Sequence, residues 1–473
     1  MLEGLEITII TKSEILKDNT EFRIDSEYYK KVYLQLYKKI YGSPILENLV
    51  FMSDLSTNGS FATVASIIHD NNPKVIPFIR SGNTGDTFIN HADLEYISKE
   101  AHDNLPKSTT HLHDIMMARK GKIGGASIIM QEEVNFNCNE NVIKIDIKNK
   151  TKINPFYFTG YFNCKYGKKQ VERLSTGNVQ PWVSIFQIRK LFLFVPSKSF
   201  QHGIEELIIK SHFNLQSSKY SYFQAQTLLL ETLGLNNFEP TAEAVNVKSF
   251  KESFLSSGRL DAEYYQKKYE EITAHIKSHK YEQLVNLVDI KKSIEPGSDA
   301  YQEKGVPFIR VSNLNKMGLS EPDIHLDGVK YKDVVKPRKD TILLSKDGSV
   351  GIAYKVTEDM NVITSGAILH LSVKTDEILP DYLTLVLNSK VVQMQAERDA
   401  GGSILQHWKP SQIEQVEIPI IDKSIQEKIA SLVSESFTLK KQSEQLLETA
   451  KRAVEIAIEE GEEVALQYIQ QYK

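Results

Sequence analysis

The sequence predicts an α+β protein with an internal repeat, in which two β-rich globular modules are each followed by a long helix. Residues 305–313 recur at 75–83 with Pro, Phe, Ile, Arg and Asn in the same spacing. Further segments recur in the same order in both halves, and each half ends in a helix-favouring segment with heptad spacing. Ordered repetition of this kind indicates a duplication, with halves at about 1–235 and 236–473.

The earliest repeated segment, residues 23–29, returns at 259–265 with five of its seven residues identical. Each copy leads into residues with the spacing of a helix. Asp25 and its counterpart Asp261 are therefore expected to cap that helix.

Short segments rich in Val, Ile, Phe and Thr follow, and they are typical of strands. Among them, residues 115–126 pair with 342–353 as a strand, a glycine turn and a second strand. Residues 120–125 resemble a phosphate loop, but no GK[ST] sequence accompanies them. We expect a tight hairpin instead, because glycine tolerates positive φ.

A fourth pair aligns residues 175–182 with 401–408 by their final tryptophans. Both copies then run through alternating apolar residues to a proline and enter the helix-favouring segments 204–233 and 424–460. The connection between the halves, 234–258, has the composition of a linker.

Both helical segments carry heptads in which large and small residues alternate. In the first segment these are Ile208, Leu215, Tyr222 and Leu229 with Ser211, Ser218, Ala225 and Thr232; in the second they are Leu432, Leu439, Leu446 and Ala453 with Ile429, Ser436, Ser443 and Ala450. Small residues allow two helices to approach closely, so the sequence predicts that the two helices pack as a coiled-coil pair.

Composition describes an ordinary globular protein, with 41% hydrophobic and 25% charged residues among 473. Two cysteines, Cys138 and Cys164, are too few for a disulfide framework and fit a reducing compartment. The N-terminus lacks the pattern of a signal peptide, and no apolar run is long enough to span a membrane. We therefore expect a cytoplasmic protein without a membrane partner.

The net charge of −4 hides an uneven distribution. Residues 142–200 contain 11 Lys/Arg against 2 Asp/Glu, and residues 330–346 contain 6 against 2. Concentrated basic segments are the electrostatic signature of phosphate binding, although a solvated charged face is the simpler interpretation of a charge run alone.

Catalytic motifs are missing. Residues 154–157 approach the N/D-P-P-Y/F motif of amino-methyltransferases but lack its second proline, and we interpret them as the entry to a strand. Neither Pro322-Asp323 nor Pro380-Asp381 is followed by the [DE]-x-K of metal-dependent nucleases, and no Walker motif occurs. The sequence predicts binding, without a catalytic residue or a cofactor.

One group of residues has the chemistry of a metal site: His91, Asp93, His111, His113 and Asp114. Because these residues lack partners at fixed spacing, we favour surface or hairpin histidines and predict no metal.

The order of the repeats resembles that of the specificity subunits of type I restriction–modification systems. The motifs R-[IL]-D-x-E-Y-Y, [IV]-P-F-I-R-x-x-N, strand–Gly–strand, and G-S-x-x-Q-x-W before I-P and a long helix carry this resemblance over nearly the whole chain. Residues 399–419 with 425–429 are its most specific local match.

This resemblance implies two target-recognition domains, each of which reads one half of a split site in double-stranded DNA. It implies that the two helices pair antiparallel as a spacer and that the repeat is pseudo-two-fold. Two methyltransferase subunits would dock on this non-catalytic prokaryotic chain, and motor–nuclease subunits would join the complete complex. The domains would be 1–203 (first recognition domain), 204–235 (first spacer helix), 236–258 (connector), 259–420 (second recognition domain) and 421–473 (second spacer helix and tail).

Candidate DNA contacts are polar or basic residues on expected loops. In the first module they are Lys120, Lys122, Lys165, Lys168, Lys169 and Arg173; in the second they are Asn315, Lys316, Arg338, Lys339, Lys346, Ser349, Gln406 and His407. Arg80 and Arg310, at the ends of apolar strands, are predicted either to contact DNA or to bind loop carbonyls within their module. Two other functions stay open: a methyltransferase or nuclease with an unrecognised centre, and a protein scaffold.

Overall fold

The structure, a computed structural model, describes residues 9–16, 23–177, 180–243, 245–401 and 405–472. It divides into two compact units, Met1–Leu215 with Lys441–Lys473 (unit 1) and Gln216–Lys440 (unit 2). Each unit has its own hydrophobic core. We call the β-rich part of unit 1 the first module and that of unit 2 the second module.

Unit 1 combines short helices with seven strands in its described residues. The helices are α1 (Lys12–Leu16), α2 (Lys31–Ile40), α3 (Leu46–Leu49), α4 (Phe61–Ile68), α5 (Lys99–Asp103), α6 (Pro155–Asn163), α7 (Lys165–Leu174) and α8 (Ile185–Arg189). The strands are β1 (Val50–Ser53), β2 (Lys74–Ile79), β3 (Glu95–Ser98), β4 (Ile115–Ala118), β5 (Ala126–Ile128), β6 (Asn137–Cys138) and β7 (Val142–Ile147).

A long helix, α9 (Lys198–Thr232), contributes its first residues to unit 1 and its later ones to unit 2. Unit 2 then contains α10 (Phe254–Ser257), α11 (Lys267–Lys277), α12 (Leu284–Leu287), α13 (Pro380–Leu387), α14 (Lys390–Asp399) and α15 (Pro410–Ile413). Its strands are β8 (Tyr281–Gln283), β9 (Val288–Lys292), β10 (Val306–Ile309), β11 (Leu314–Asn315), β12 (Gly318–Leu319), β13 (His325–Leu326), β14 (Ile342–Ser345), β15 (Ala353–Lys355), β16 (Ile363–Thr364), β17 (Ile368–Val373) and β18 (Glu417–Pro419). The second long helix, α16 (Lys423–Glu459), is followed by α17 (Glu462–Gln470).

Sheet topology confirms the predicted α+β fold and its duplication. The first module contains an antiparallel sheet in the order β1-β7-β4-β5, and the second contains β9-β17-β14-β15. A smaller mixed sheet, β3-β2-β6 or β13-β10-β16, carries the repeated Pro-Phe-Ile segment on its central strand in both modules, and the arginine directly follows the strand.

The two modules also share buried side-chain hydrogen bonds that the sequence motifs did not predict. Asn163 Oδ1 accepts from the Ala126 N–H (3.0 Å), and Asn163 Nδ2 donates to the Ala126 carbonyl (2.8 Å). Asn388 makes the same two bonds to Ala353, at 3.0 and 2.7 Å. Each asparagine thereby fixes a strand to the helix that covers it.

A glutamine near the start of each long helix binds the module that precedes it. Gln201 Oε1 accepts from the N–H of Asn154 (2.8 Å), and Gln426 Oε1 accepts from the N–H of Leu379 (3.0 Å). Both glutamines are buried. Their amide nitrogens donate to carbonyls of the same module, so the start of each helix is fixed to its own module.

Two local expectations are wrong. Residues 154–157 do not enter a strand, because Asn154 caps α6 by accepting from the N–H of Phe156 (2.9 Å), and Pro155 occupies the first turn. Asp25 caps only a turn through the N–H of Tyr28 (3.1 Å) and pairs with a neighbouring arginine, whereas α2 begins later.

The predicted hairpins are confirmed, with longer loops than expected. Strands β4 and β5 pair antiparallel around residues 119–125, and β14 and β15 pair around 346–352. Gly121 and Gly124 have φ of 83° and 90°, and Gly348 and Gly351 have φ of 72° and 81°. Glycine is favoured at such positions, since most other residues avoid positive φ.

The two long helices pack through the small residues of their heptads, as predicted. In unit 1, Ser211 Oγ donates to the carbonyl of Ser443 (3.0 Å). In unit 2, Ser218 and Ser436 each donate to the other's carbonyl, at 2.7 and 2.8 Å. Numbers rise along one helix as they fall along the other, so the pairing in each unit is antiparallel.

No helix within the described part of the chain is both long and apolar enough to cross a membrane. Cys138 and Cys164 are free and buried, and burial raises the pKa of each thiol to about 12. Both therefore remain protonated and unreactive at neutral pH.

Candidate nucleic-acid interface

In each module a hairpin loop is hydrogen-bonded to a segment that lies about 60 residues later in the sequence, and the two together form one surface. The first loop surface consists of residues 119–125 with 176–177 and 180–183; the second consists of 346–352 with 401 and 405–408. On the first, the N–H of Gly121 donates to the carbonyl of Pro181 (3.0 Å). On the second, the N–H of Gly348 donates to the carbonyl of Gln406 (2.9 Å).

These backbone bonds correct the alignment that the sequence suggested. The N–H of Val183 donates to the carbonyl of Arg119 (2.9 Å), and the N–H of Trp408 donates to that of Lys346 (2.8 Å). Val183 and Trp408 are therefore equivalent, and both are buried. Pairing the tryptophans with each other is wrong by one residue: Trp182 corresponds to His407, and both of these side chains are exposed.

On the first loop surface, Lys120 and Lys122 are exposed. Lys122 lies 3.6 Å from the carboxylate of Asp86, which is also exposed. Beside them, the ring of Trp182 lies over the guanidinium of Arg119, with 5.5 Å to the ring centroid. Neither Arg119 nor Trp182 was predicted, because the misaligned tryptophans concealed the exposed position.

On the second loop surface, the structure brings together four predicted residues: Lys346, Ser349, Gln406 and His407. Asp347 organises two of them, since its carboxylate accepts from Lys346 Nζ and from His407 Nδ1, the latter at 2.9 Å. Burial raises the pKa of Asp347, but these two hydrogen bonds outweigh it and the pKa is lowered. Ser349, Gln406 and His407 are exposed.

The basic residues of α7 have different surroundings. Lys165 Nζ binds Glu459 of α16 at 2.5 Å, and Lys169 binds Glu172 at 2.6 Å. Arg173 lies over the rings of Tyr28 and Tyr37, at 4.2 and 4.6 Å from their centroids. These three side chains make contacts within unit 1.

Lys168, also on α7, is half-buried, and no ion pair of its amine occurs among the described residues. Burial lowers its pKa, and the nearby charge of Lys451 acts in the same direction.

The remaining candidates of the second module lie on segments other than its loop surface. Arg338 pairs with Asp359 at 2.8 Å, and the backbone N–H of Lys339 donates to the same carboxylate at 2.9 Å. Both line a cavity of about 250 Å³ together with Lys291, Lys336 and buried His370, among other residues. The imidazole of His370 has a pKa lowered to about 4 by burial, so it is neutral.

Asn315 ends β11, and Lys316 begins the turn to β12. Asn315 Oδ1 accepts from the N–H of Met317 (2.8 Å), and Lys316 Nζ donates to the carbonyl of Asn388 (3.4 Å).

Arg80 and Arg310 occupy equivalent backbone positions but differ in their contacts. Each N–H donates to the asparagine three residues on, at 2.9 and 3.0 Å. The guanidinium of Arg80 binds Glu95 (2.6 Å) and the carbonyl of Asp93 (2.8 Å).

The second module lacks that acid, because Ile324 faces β10 where Glu95 faces β2. Within the described residues the Arg310 guanidinium makes no hydrogen bond, ion pair or ring contact, and its Nε is buried without a partner.

The histidines and acids considered as metal ligands have separate partners. His91 binds Glu133 at 2.6 Å, His111 binds Asp114 at 3.3 Å, and the ring of His113 packs against Phe156. Across the described ranges, no three His, Cys, Asp or Glu side chains are placed to share a metal ion.

Comparison with known proteins gives one family match. The family model of the type I restriction modification DNA specificity domain matches residues 277–449, which include most of the second module and much of α16. A search of curated proteins gives no match.

Among solved structures, the type I restriction–modification S subunit from M. genitalium is 12% identical, with a TM-score of 0.39 over 90% of this chain and 95% of that chain. The HsdS subunit from Thermoanaerobacter tengcongensis is 12% identical, with a TM-score of 0.27 over 91% and 95%. Because both TM-scores lie below 0.5, the family assignment rests on the sequence match. Residues 277–449 therefore match the type I restriction modification DNA specificity domain family, which confirms the resemblance that the repeated motifs predicted.

Proposed function

We propose that this chain is the non-catalytic specificity subunit of a type I restriction–modification complex and that its two modules each read one half of a split double-stranded DNA site. The observation that carries the proposal is the duplication. Most of the second module lies within the matched family domain, and the first module repeats its sheet order and its buried asparagine bonds. Two copies of one recognition fold are suited to two half-sites.

The chemistry of the loop surfaces supports different targets for the two modules. Lys120 and Lys122 on the first surface are suited to phosphate contacts. Ser349, Gln406 and His407 on the second present exposed hydroxyl, amide and imidazole groups, which hydrogen-bond base edges in the major groove. A shared scaffold with different surface chemistry is what a bipartite, asymmetric target requires.

Docking of two methyltransferase subunits, with motor–nuclease subunits in the complete complex, belongs to the same proposal. Exposed apolar side chains on α9 support it. In unit 1, Ile209 and Phe213 are 45% and 68% exposed; in unit 2, Tyr220 and Phe223 are 61% and 63% exposed. Large exposed apolar side chains grouped on one element are typical of protein-binding surfaces. The domain limits 1–203, 204–235, 236–258, 259–420 and 421–473 remain our proposal for the organisation of the subunit.

Selection of bound duplexes from a random pool, by the full chain assembled with its methyltransferase, tests the proposal. We expect enriched duplexes to share two short fixed tracts separated by a spacer of constant length, and both tracts to be protected in footprinting. Binding should weaken steeply with salt, because lysine–phosphate contacts release counterions.

Two results would contradict the proposal. Cleavage or methylation of DNA by the purified chain alone, given magnesium and S-adenosylmethionine, would show a catalytic centre in it. Assembly with the methyltransferase without any protected tract would favour a scaffold.

The different contacts of Arg80 and Arg310 lead to a second prediction. We expect Arg310→Ala to weaken binding of target DNA about tenfold, because the variant loses the proposed contact of the guanidinium with DNA. Its stability should not fall, because the guanidinium has no described protein partner to lose. Arg80→Ala should instead lower the melting temperature of unit 1, because it removes the bonds to Glu95 and to the Asp93 carbonyl.

Fluorescence anisotropy with a labelled target duplex and thermal denaturation measure the two effects separately. Wild-type affinity in Arg310→Ala, or equal losses of affinity in both variants with unchanged melting, would contradict the assignment of different roles.

A further inference from the structure

We infer that Trp182 is a DNA-contacting residue that contributes to the specificity of the first module, at the position that His407 occupies in the second. This inference rests on the proposed function and adds a residue that no motif identified.

Trp182 lies at the centre of the first loop surface. Its backbone forms two hydrogen bonds with Thr176, at 2.8 and 2.9 Å, and a bridge with Lys120 on the hairpin loop. The residue is 38% exposed, whereas the other tryptophan, Trp408, is 1% exposed. A large indole therefore reaches solvent from a backbone that is held on both sides.

The side chain of Arg119 also packs against the ring of Trp182. The guanidinium of Arg119 lies 5.5 Å from its centroid, and Arg119 Nη1 donates to the carboxylate of Asp54 at 2.7 Å. Asp54 is buried and caps the following 3₁₀ turn through the N–H of Thr57 (3.2 Å). A ring fixed in this way loses little conformational freedom when a ligand covers it, which favours binding.

The surroundings of the ring favour an anionic ligand with flat, partly apolar groups. Lys120 and Lys122 are exposed on the adjoining loop, with Asp86 as the acid near Lys122. Aromatic rings beside lysines are typical of nucleic-acid surfaces, where the lysines contact phosphates and the rings contact bases.

Comparison of the two modules points to specificity rather than to structure. At the inner of two adjacent positions, Val183 and Trp408, both modules bury an apolar side chain. At the outer position, Trp182 and His407, both expose a ring, but its chemistry changes from an indole to an imidazole bonded to Asp347. An indole makes apolar contact with a thymine methyl or a base face, whereas an imidazole hydrogen-bonds a base edge.

Incorporation of 5-fluorotryptophan into this chain tests the inference, because the chain contains only two tryptophans. The full chain, assembled with unlabelled methyltransferase, should give two ¹⁹F signals, which Trp182→Phe and Trp408→Phe assign. We expect the selected duplex to shift the Trp182 signal strongly and to shift the Trp408 signal less, because the Trp408 ring is 1% exposed. A Trp182 signal that stays in place at saturating duplex would overturn the inference.

Affinity gives a second readout. Trp182→Ala should weaken binding of the target duplex about tenfold with an unchanged melting temperature. Phe186→Ala is the matched control: Phe186 is 54% exposed in the same unit but lies on α8, outside the loop surface, and its loss should not change affinity.

The outcomes distinguish failure of this inference from failure of the proposed function. If the complex protects its split target but Trp182→Ala binds as tightly as wild type, this inference fails and the proposed function stands. If no duplex is protected by the wild-type complex, both fail.

Discussion

Replacement of Asn388 by leucine is expected to lower the free energy of unfolding of unit 2 by about 3 kcal/mol, because two buried backbone groups lose their partner. Asn388 is 4% exposed and binds both the N–H and the carbonyl of Ala353. Leucine has the same branched shape without the polar atoms, so it leaves these groups unsatisfied without opening a cavity. Asn163→Leu should act in the same way on unit 1 through Ala126.

Chemical denaturation measures the change in the free energy of unfolding. Hydrogen exchange of the Ala353 amide shows whether the loss is located there. Asn361→Leu is the matched control in the same unit, because Asn361 is exposed and its replacement should change stability by less than about 0.5 kcal/mol. Equal stability of the two variants would show that the Ala353 groups find other partners.

Replacement of Ser436 by leucine is expected to destabilise the helix pair by about 2–3 kcal/mol, since a larger side chain must enter a closely packed contact. Ser436 and Ser218 are both almost fully buried, and their hydroxyl oxygens lie 3.1 Å apart. Leucine at this position separates the helices and removes the bond to the Ser218 carbonyl.

Ser434→Leu, two residues earlier on the same helix, is the control. Ser434 is exposed, so the added side chain meets solvent and the melting temperature should change little. If both variants melt together, the serine contact does not set the spacing of the helices.

Patterns that repeat were predictable from the sequence. The order of four paired segments gave the duplication, and heptads with serine at alternate positions gave the close helix pair, because both depend on periodic spacing alone. Pro77 and Pro307, with the residues that follow them, mark the central strand of the same small sheet in each module.

Contacts between distant residues were not predictable. Charge counting grouped Lys165 with its neighbours, but Glu455 and Glu459, which bind it, lie almost 300 residues later in the sequence. The two tryptophans were matched by identity, although backbone hydrogen bonds place them at different positions. Arg80 and Arg310 look alike in sequence. They differ in the residue that the neighbouring segment places opposite their strand, which is Glu95 in the first module and Ile324 in the second.

The glutamines at the start of the long helices affect how modules can be exchanged between related genes. Among the described residues, the side-chain amides of Gln201 and Gln426 each bind backbone groups that lie before them in the chain, in or directly after the preceding module. A genetic crossover that falls after either glutamine therefore transfers a module with its own helix junction intact. Under the proposed function, exchange of half-genes between related chains then combines recognition modules in new pairs without any need to evolve a new junction.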